Sequence, residues 1–169
     1  VAAEDTRVSL KRLNHFDIRK SLVSYYEHNK YASGEKILER ILAGETCALV
    51  TDAGMPAVSD PGEDLTAMCA ERGVEVVAVP GPSALIAALA LSGLPTGRFT
   101  FEGFLSVNKR ERAEHLDSLK REERTMIFYE APHKLLRTLE ALLSALGNRR
   151  ISVCRELTKL HEETLRTTL

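Results

Sequence analysis

The sequence predicts an α/β protein built from two lobes. Short apolar runs rich in branched residues alternate with stretches that carry apolar residues at helical spacing, an order typical of layered α/β folds. One run, residues 74–79 (VEVVAV), has almost no polar residue, as expected for a parallel strand covered on both faces. Pro80-Gly81-Pro82 is the clearest break in the chain. We therefore expect an N-terminal lobe over residues 1–81 and a C-terminal lobe over residues 82–169.

The first lobe should alternate strands with helices from its first residues. Val1-Ala2-Ala3 has the character of the end of a strand, and Asp5 or Thr6 can cap the helix that follows. Residues 33–43 form an amphipathic pattern with Gly44 as its stop signal. The expected strands are residues 1–3, 22–25, 47–50 and 74–79, and the expected helices are residues 5–16, 33–43 and 61–72.

The second lobe should begin with a buried helix. Residues 83–91 (SALIAALAL) are apolar on every side, so the pattern predicts a helix that is buried all round. A leucine-rich helix over residues 132–146 ends at Gly147. The other expected elements are strands at residues 99–104, 125–129, 151–154 and 163–169 and a charged helix at residues 109–121.

The stretch 46–62 (TCALVTDAGMPAVSDPG) is the strongest candidate for a ligand site. Its apolar start predicts a buried strand, and Asp60-Pro61-Gly62-Glu63 has the pattern of a helix start, with Asp60 as N-cap and Glu63 completing a capping box. Asp52 and Asp60 therefore bracket a loop at the carboxyl end of a strand, where parallel sheets bind ligands. Each also has a simpler interpretation, Asp60 as a cap alone and Asp52 as a turn residue.

Composition narrows the classes of function. No apolar run reaches transmembrane length, so we expect a cytoplasmic protein without a membrane partner. Cys47, Cys69 and Cys154 lack metal-ligand spacing and are interpreted as small buried hydrophobes. A net charge of −1 argues against sequence-independent binding of nucleic acid. The short basic clusters at residues 109–112 and 149–150 fit solvated surface.

Six motifs, in order along the chain, resemble one family. The longest are VTDAGMPAVSDPG (residues 50–62), VPGPSALIAALALSGLP (79–95) and FEGFL (101–105), and the others are AAEDTR (2–7), FYEAPHKL (128–135) and RELTK (155–159). They closely resemble the tetrapyrrole methylase superfamily and, within it, the branch that methylates small-subunit ribosomal RNA. The resemblance implies a two-lobe α/β fold with a cleft for S-adenosylmethionine between the lobes. It also implies 2′-O-methylation of a cytidine in 16S ribosomal RNA.

The resemblance assigns candidate cofactor contacts. The superfamily holds the cofactor with a Gly-Asp-Pro loop, matched here by Gly54-Met55-Pro56, so Met55 would contribute through its backbone. Residues 83–84 match the pair that meets the methionine end of the cofactor, while Val58, Tyr129 and Leu157 match positions around its ribose and adenine. The candidate cofactor-binding residues are Asp52, Gly54, Met55, Pro56, Val58, Ser83, Ala84, Tyr129 and Leu157.

The family pattern also implies that part of the site lies outside this sequence. The family begins with a strand and a Pro-rich loop that approaches cofactor and substrate, and this segment would precede Val1. The strand-like first residues, the lack of an initiator Met and the shortened C-terminal strands therefore predict an internal fragment that lacks the N-terminal strand.

Methyl transfer from a sulfonium is an in-line displacement that needs alignment rather than a metal. A ribose hydroxyl is weakly acidic, so a base or hydrogen-bond acceptor helps. The candidates for substrate contact or proton handling are Asp5, Arg7, Glu102 and Lys159, with Glu4 and Glu130 as further carboxylates. In the alternative interpretation Asp5 and Arg7 form a helix-end ion pair and Lys159 is solvated. His133, after Pro132, is expected to hydrogen-bond at a helix start rather than to catalyse.

Three functions remain open on the sequence. The leading hypothesis is an S-adenosylmethionine-dependent RNA 2′-O-methyltransferase whose partners are small-subunit ribosomal RNA and a second copy of itself. The second is a methylase of a corrin or porphyrin precursor, which would need the acidic residue that Met55 replaces. The third is a binding module that has kept the fold and lost catalysis.

Overall fold

The structure, a computed structural model, describes residues 1–169. It divides into two compact units, Val1–Pro82 and Ser83–Leu169, a division one residue away from the expected boundary. Strands and helices alternate through both units, which confirms the α/β class.

The sheet of the first unit is built around a short central strand. Strand β1 (Ala2–Ala3) pairs in parallel with β2 (Val23–Ser24) on one side and with β3 (Leu49–Val50) on the other. Both alanines are at most 1% exposed. Helices α1 (Thr6–His15) and α2 (Lys30–Leu42) connect these strands, and α3 (Glu63–Glu71) follows the last one. The three strands and the helices α1 and α3 lie within predicted segments. Helix α2 begins three residues before its predicted start.

The core of this unit lies where α2 packs against α3 and the sheet. Tyr25 is fully buried there beside Ile37, Leu38 and Leu65. This burial raises the pKa of the Tyr25 hydroxyl. Close packing of the two helices places the position of Gly34 so near the Met68 sulfur that a Cβ there would lie 3.3 Å from it. These contacts fix the helices that flank the central strand.

The predicted strand at residues 74–79 does not form. Val76, Val77 and Val79 are 53%, 74% and 81% exposed, and the segment joins no sheet. A parallel strand needs a neighbour that supplies hydrogen bonds along its length. The sheet order β2-β1-β3 provides no such partner for this segment, so its apolar composition alone gave the wrong prediction.

The predicted N-terminus of the third helix is also wrong. Helix α3 begins at Glu63 with Gly62 as its N-cap, and Asp60 makes no capping hydrogen bond. Gly62 has a φ of 148°, which lies far outside the helical range, so the helix cannot begin at Pro61. Asp60 is therefore part of the loop that precedes the helix.

The second unit contains two separate two-stranded sheets. Strands β4 (Phe99–Phe104) and β5 (Thr125–Tyr129) pair in parallel, with an irregularity in register between Phe101 and Gly103. Strands β6 (Arg150–Arg155) and β7 (Glu163–Thr168) form an antiparallel hairpin. The helices are α4 (Ala84–Leu91), α5 (Lys109–Ser118) and α6 (Leu135–Leu146), and a 3-10 turn, Pro132–Lys134, precedes α6.

Helix α4 is buried on one side only, which corrects the prediction of burial all round. Leu85 and Leu89 pack against Ile127 of β5. Ile86 and Leu91 are 51% and 38% exposed. A helix whose sequence is apolar all round is covered only where another element reaches it, and the packing against β5 accounts for one face.

The loop before α3 gives a stability prediction, because Gly62 combines a positive φ with close packing. A Cβ at this position would lie 2.7 Å from the Leu49 side chain and 3.0 Å from the Ala57 nitrogen. We expect Gly62→Ala to lower the free energy of unfolding by about 3 kcal/mol or more, from overpacking together with backbone strain. Urea denaturation measures this loss. Gly73→Ala is the control, since Gly73 has a φ of 67° and open space around it; it should cost only about 1–2 kcal/mol. Equal losses in the two variants would contradict the packing argument.

Candidate functional site

The loop between β3 and α3, residues 51–62, is the most constrained stretch of the first unit. Ala57 and Ser59 have φ values of 67° and 58°, in the left-handed region that residues with a side chain rarely adopt. Gly54 also has a positive φ, of 86°. Strained backbone conformations cluster at ligand sites, where the surrounding structure holds them in place. The strain therefore supports this loop as the candidate site.

Two side chains from the β1–α1 segment hold the start of this loop. The Arg12 guanidinium donates to the Thr51 carbonyl at 3.0 Å and also to the Asp52 carbonyl. The Glu4 carboxylate accepts the Asp52 N–H at 3.2 Å. Asp52 is thus fixed through both its backbone N–H and its carbonyl. The carboxyl end of β3, where parallel sheets bind ligands, is therefore positioned by residues far away in sequence.

Three carboxylates of this region have no cationic partner. Glu4, Asp52 and Asp60 form no ion pair, and the Oδ1 atom of Asp52 is buried without a hydrogen-bond partner. Burial raises the pKa of Asp60, and the negative charges of Glu4 and Asp52 raise it further. Such a site favours a ligand that brings positive charge or hydroxyl and ammonium donors over one that brings a phosphate.

Asp5 and Arg7 are bound to each other at the start of α1. The Asp5 carboxylate caps the helix by accepting the Arg7 N–H at 2.8 Å and pairs with the guanidinium at 3.1 and 2.7 Å. The side-chain hydrogen bond from Arg7, followed by the backbone one, lowers the pKa of Asp5 to about 2. This is the helix-end ion pair offered as the alternative interpretation. The Arg7 side chain remains 87% exposed and keeps donors for a further partner.

The candidate cofactor residues of the first unit lie along the loop itself. Gly54 faces the Asp60 carboxylate, since a Cβ on Gly54 would lie 3.9 Å from it. A Cβ on Gly81 would likewise lie 3.8 Å from the Met55 sulfur. Pro56 is half-buried, and Val58 is 41% exposed. Met55 offers no charge here, so its polar contribution is limited to its backbone.

A cavity of about 520 Å³ lies elsewhere in the first unit. It is lined by Val1, Ser21, Cys47 and Ala48, which precede or begin the three strands. The cavity is thus at the amino ends of the strands, opposite to the loop. Ligands of parallel sheets bind at the carboxyl ends, so chemistry and topology favour the loop over this cavity.

In the second unit, three candidate cofactor residues come together at the start of α4. Ser83 is the N-cap, with no side-chain capping bond, and Ala84 is the first helical residue. The next amide, that of Leu85, donates to the Tyr129 hydroxyl at 3.0 Å. The Tyr129 ring packs edge to face with Phe101, at a centroid distance of 5.0 Å. The helix start is therefore tied to the aromatic cluster at the end of β5.

Leu157, the remaining cofactor candidate, lies in a turn after β6. It is half-buried, and its neighbours Glu156 and Thr158 have positive φ values of 52° and 67°. The Thr158 N–H donates to the Glu162 carboxylate at 2.6 Å, which closes the turn. Lys159 binds the Glu156 carboxylate at 3.1 Å. The strain and the hydrogen bond define the position of Leu157.

Glu102, the other candidate for proton handling, pairs with a histidine that the sequence analysis missed. Its Oε2 lies 2.9 Å from Nε2 of His115, and its side chain is 13% exposed. Glu130 instead accepts the Thr138 hydroxyl at 2.5 Å, a contact that links the end of β5 to α6. His133 is exposed in the 3-10 turn and its side chain forms no hydrogen bond, so the hydrogen bond expected of it at this helix start is not made.

Arg12 and His115 carried no signal in the sequence. Each is one polar residue on an exposed, charged helix, and its partner lies on a different element. Only the fold shows which of many exposed side chains reach a loop or a strand. None of the helices has the length and apolar character needed to span a membrane. The three cysteines form no disulfide.

Comparisons with known proteins find one methylase family along the whole chain. The family model of Tetrapyrrole (Corrin/Porphyrin) Methylases matches residues 1–169. A Halalkalibacterium halodurans protein named ribosomal RNA small subunit methyltransferase I is 52% identical over 100% of this chain and 58% of its own length. Proteins of the same name from Synechocystis and Thermotoga maritima are 52% and 46% identical over 100% and 98% of the chain. The chain spans 61% and 74% of their lengths.

The contacts of Arg12 predict a local effect on the loop. Arg12→Met should leave the Thr51 and Asp52 carbonyls without their donor, at a cost of about 1–3 kcal/mol. Hydrogen exchange should show faster exchange at residues 52–60, with the amides of α2 changing less. Arg19→Met is the control, because Arg19 is exposed and forms no ion pair. Unchanged exchange in Arg12→Met would show that the loop does not depend on this side chain.

The raised pKa of Asp60 predicts a pH dependence of stability. A carboxyl whose pKa is raised on folding binds more protons in the native than in the unfolded state, so it destabilises the fold as pH rises above its unfolded pKa of 3.8. Asp60→Asn should therefore raise the melting temperature at neutral pH relative to the native protein. This advantage should shrink as pH falls from the raised pKa of folded Asp60 towards 3.8, and it should be lost below that pH. Thermal unfolding across pH measures the difference, and an advantage that grows with acidity would contradict the assignment.

Proposed function

We propose that this chain, which belongs to the tetrapyrrole (corrin/porphyrin) methylase family, is part of an S-adenosylmethionine-dependent methyltransferase. Its substrate is the ribose 2′-oxygen of a cytidine in 16S ribosomal RNA. The main support is the 52% identity, along the whole chain, to relatives named ribosomal RNA small subunit methyltransferase I. The proposal extends to the cytoplasm as the site of action and to a homodimer as the working form.

The loop after β3 fits the charge of the proposed cofactor. S-adenosylmethionine supplies a methyl group carried on a positively charged sulfonium, together with an ammonium and ribose hydroxyls. Asp52 and Asp60 provide carboxylates that form no ion pair, and Asp52 Oδ1 is buried without a partner. The backbone of Gly54-Met55-Pro56 would supply amide and carbonyl groups between them. Carboxylates that form no ion pair within the protein suit a cationic ligand.

The start of α4 fits the methionine carboxylate. The first amides of a helix have no acceptor within the helix, and they favour negative charge. The Leu85 amide is already bound to the Tyr129 hydroxyl, which leaves the amides of Ser83, Ala84 and Ile86 as the donors for the ligand. Tyr129 would then have two roles, since its hydroxyl fixes the helix start and its ring offers apolar surface to the adenine, with Leu157.

Each unit carries a charged pair that suits substrate handling. Arg7, held by Asp5 and largely exposed, would bind a phosphate of the RNA with its remaining donors. Asp5, with its pKa near 2, would position Arg7 rather than accept a proton. Glu102 and His115 share a hydrogen bond and can hold the proton released from the ribose hydroxyl between Oε2 and Nε2. Lys159 would contribute positive charge near the substrate.

A corrin or porphyrin precursor is the second candidate substrate, because the family description names those compounds. Met55 argues against it, since the acidic residue of the cofactor loop in those enzymes is replaced here. A binding module without catalysis is the third candidate. A binding module would share the cofactor loop with the two candidate methylases and would differ from them only in lacking turnover.

Methyl transfer from radiolabelled S-adenosylmethionine tests the proposed function. The full-length protein would receive small ribosomal subunits and a porphyrinoid precursor in parallel. We expect label in the subunit RNA, resistant to alkaline hydrolysis at one dinucleotide, because a 2′-O-methyl group blocks cleavage there. Label on the porphyrinoid alone would contradict the RNA assignment. Cofactor binding without turnover on either substrate would support the binding module.

The role of Asp52 gives a second prediction. Asp52→Asn should weaken S-adenosylmethionine binding tenfold or more, because a hydrogen bond to a charged group contributes about 1.5–3 kcal/mol. Isothermal titration calorimetry measures the affinity. The matched control is Asp17→Asn, which removes an exposed carboxylate of the same unit outside the loop. Equal affinities in the two variants would exclude Asp52 from the cofactor site.

A further inference from the structure

Helix α1 and the turn after it form a basic segment in a chain that is close to neutral. Residues 7–20 contain five Lys and Arg side chains and a single acidic residue, whereas the whole chain has a net charge of −1. The segment comprises most of α1 and the turn that follows it. Its acidic residue is Asp17, and the Asp5 carboxylate at the helix start is already paired with Arg7. The excess positive charge is therefore not compensated locally.

Three of these cations are exposed and have no ion-pair partner. Lys11, Arg19 and Lys20 form no salt bridge. Several exposed cations of the second unit are engaged in ion pairs: Arg110 with Glu114 at 2.8 Å, and Lys120 and Arg124 with Asp117 and Glu122. Unpaired exposed cations cost little to bring against phosphates, because no internal ion pair has to be broken first.

An exposed aromatic ring lies within the same segment. Phe16 is 69% exposed at the C-cap of α1, and its ring contacts His15 edge to face at 4.9 Å. The turn is held to the helix, since the Ile18 N–H donates to the Leu13 carbonyl at 2.8 Å. Cations beside a fixed aromatic ring suit single-stranded RNA, whose backbone binds the cations while an unstacked base packs on the ring.

This helix also borders the candidate site. Arg12, one turn before Phe16, donates to the Thr51 and Asp52 carbonyls at the start of the loop. An RNA strand bound along α1 would therefore pass beside the loop within the same unit. The placement links an RNA-binding surface to the position proposed for the methyl donor.

We propose that Lys11, Phe16, Arg19 and Lys20, here named the α1 basic surface, bind single-stranded RNA on its way to the cofactor loop. The identity of this RNA as the substrate rests on the proposed function, while the affinity for RNA does not. Lys11, Arg19 and Lys20 contact phosphates, and Phe16 stacks on one base.

The test measures the affinity of the full-length protein for a fluorescein-labelled single-stranded oligoribonucleotide from 16S ribosomal RNA over a range of salt concentrations. The variant Lys11→Gln/Arg19→Gln/Lys20→Gln should bind at least tenfold more weakly. The slope of log affinity against log salt should fall in magnitude by about 2, because each phosphate contact in a single strand contributes about 0.7. Phe16→Ala should weaken binding by about five- to hundredfold, and Phe16→Tyr should restore it.

The matched control is Lys109→Gln/Lys134→Gln/Arg121→Gln. It removes the same number and kinds of charge from exposed side chains of the second unit that form no ion pair. We expect this control to keep the salt slope and affinity of the native protein. Circular dichroism and S-adenosylmethionine binding, measured for every variant, establish that the fold and cofactor loop are intact.

Equal weakening in the control and the α1 variant would overturn the proposal, since net charge alone would then explain binding. Unchanged RNA affinity in the α1 variant would overturn it as well. It would also be overturned if the native protein bound vesicles of anionic phospholipid more tightly than the oligoribonucleotide and the α1 variant lost that binding, which would identify a membrane surface instead. Methyl transfer to subunit RNA separates the two proposals: native protein without transfer refutes the proposed function, whereas normal transfer and affinity in the α1 variant refute only the surface.

Discussion

The short strand β1 determines how the first unit is assembled. Its two alanines are almost completely buried and receive a parallel strand on each side. Helix α1 begins three residues after the strand ends, so the direction in which the helix leaves the sheet is fixed by that pairing. This direction brings Glu4 to the Asp52 amide and Arg12 to the carbonyls beyond β3. The geometry of the candidate site thus follows from hydrogen bonding at the centre of the sheet.

The loop after β3 combines features that a protein selected for stability alone would avoid. It contains left-handed residues that are not glycine, a buried carboxylate oxygen without a partner, and an Asp60 whose pKa is raised. Each of these lowers stability by itself. Their coincidence in one loop, in a member of a methylase family, is explained if the missing interactions are supplied by a bound molecule.

The sequence predicted the positions of strands and helices better than the strand pairing and side-chain contacts they make. Strands β4 and β5 were predicted at their observed bounds because branched and aromatic residues run between clear turn signals. Residues 74–79 had the same composition but no partner strand, and pairing is a property of the whole sheet that no local pattern contains. Asp60 failed as a cap because Gly62, with a φ of 148°, interrupts the helix between Pro61 and Glu63. Arg12 and His115 were missed since their contacts join elements distant in sequence.

The failure of residues 74–79 to pair has a consequence for how the chain behaves in concentrated solution. An exposed, β-branched segment that joins no sheet is a template for strand addition by another molecule. Glu75 and the prolines at 80 and 82 limit this hazard, because charge and the lack of an amide hydrogen both interrupt a growing sheet. Replacement of these three residues by apolar ones would favour aggregation without altering any contact of the folded core.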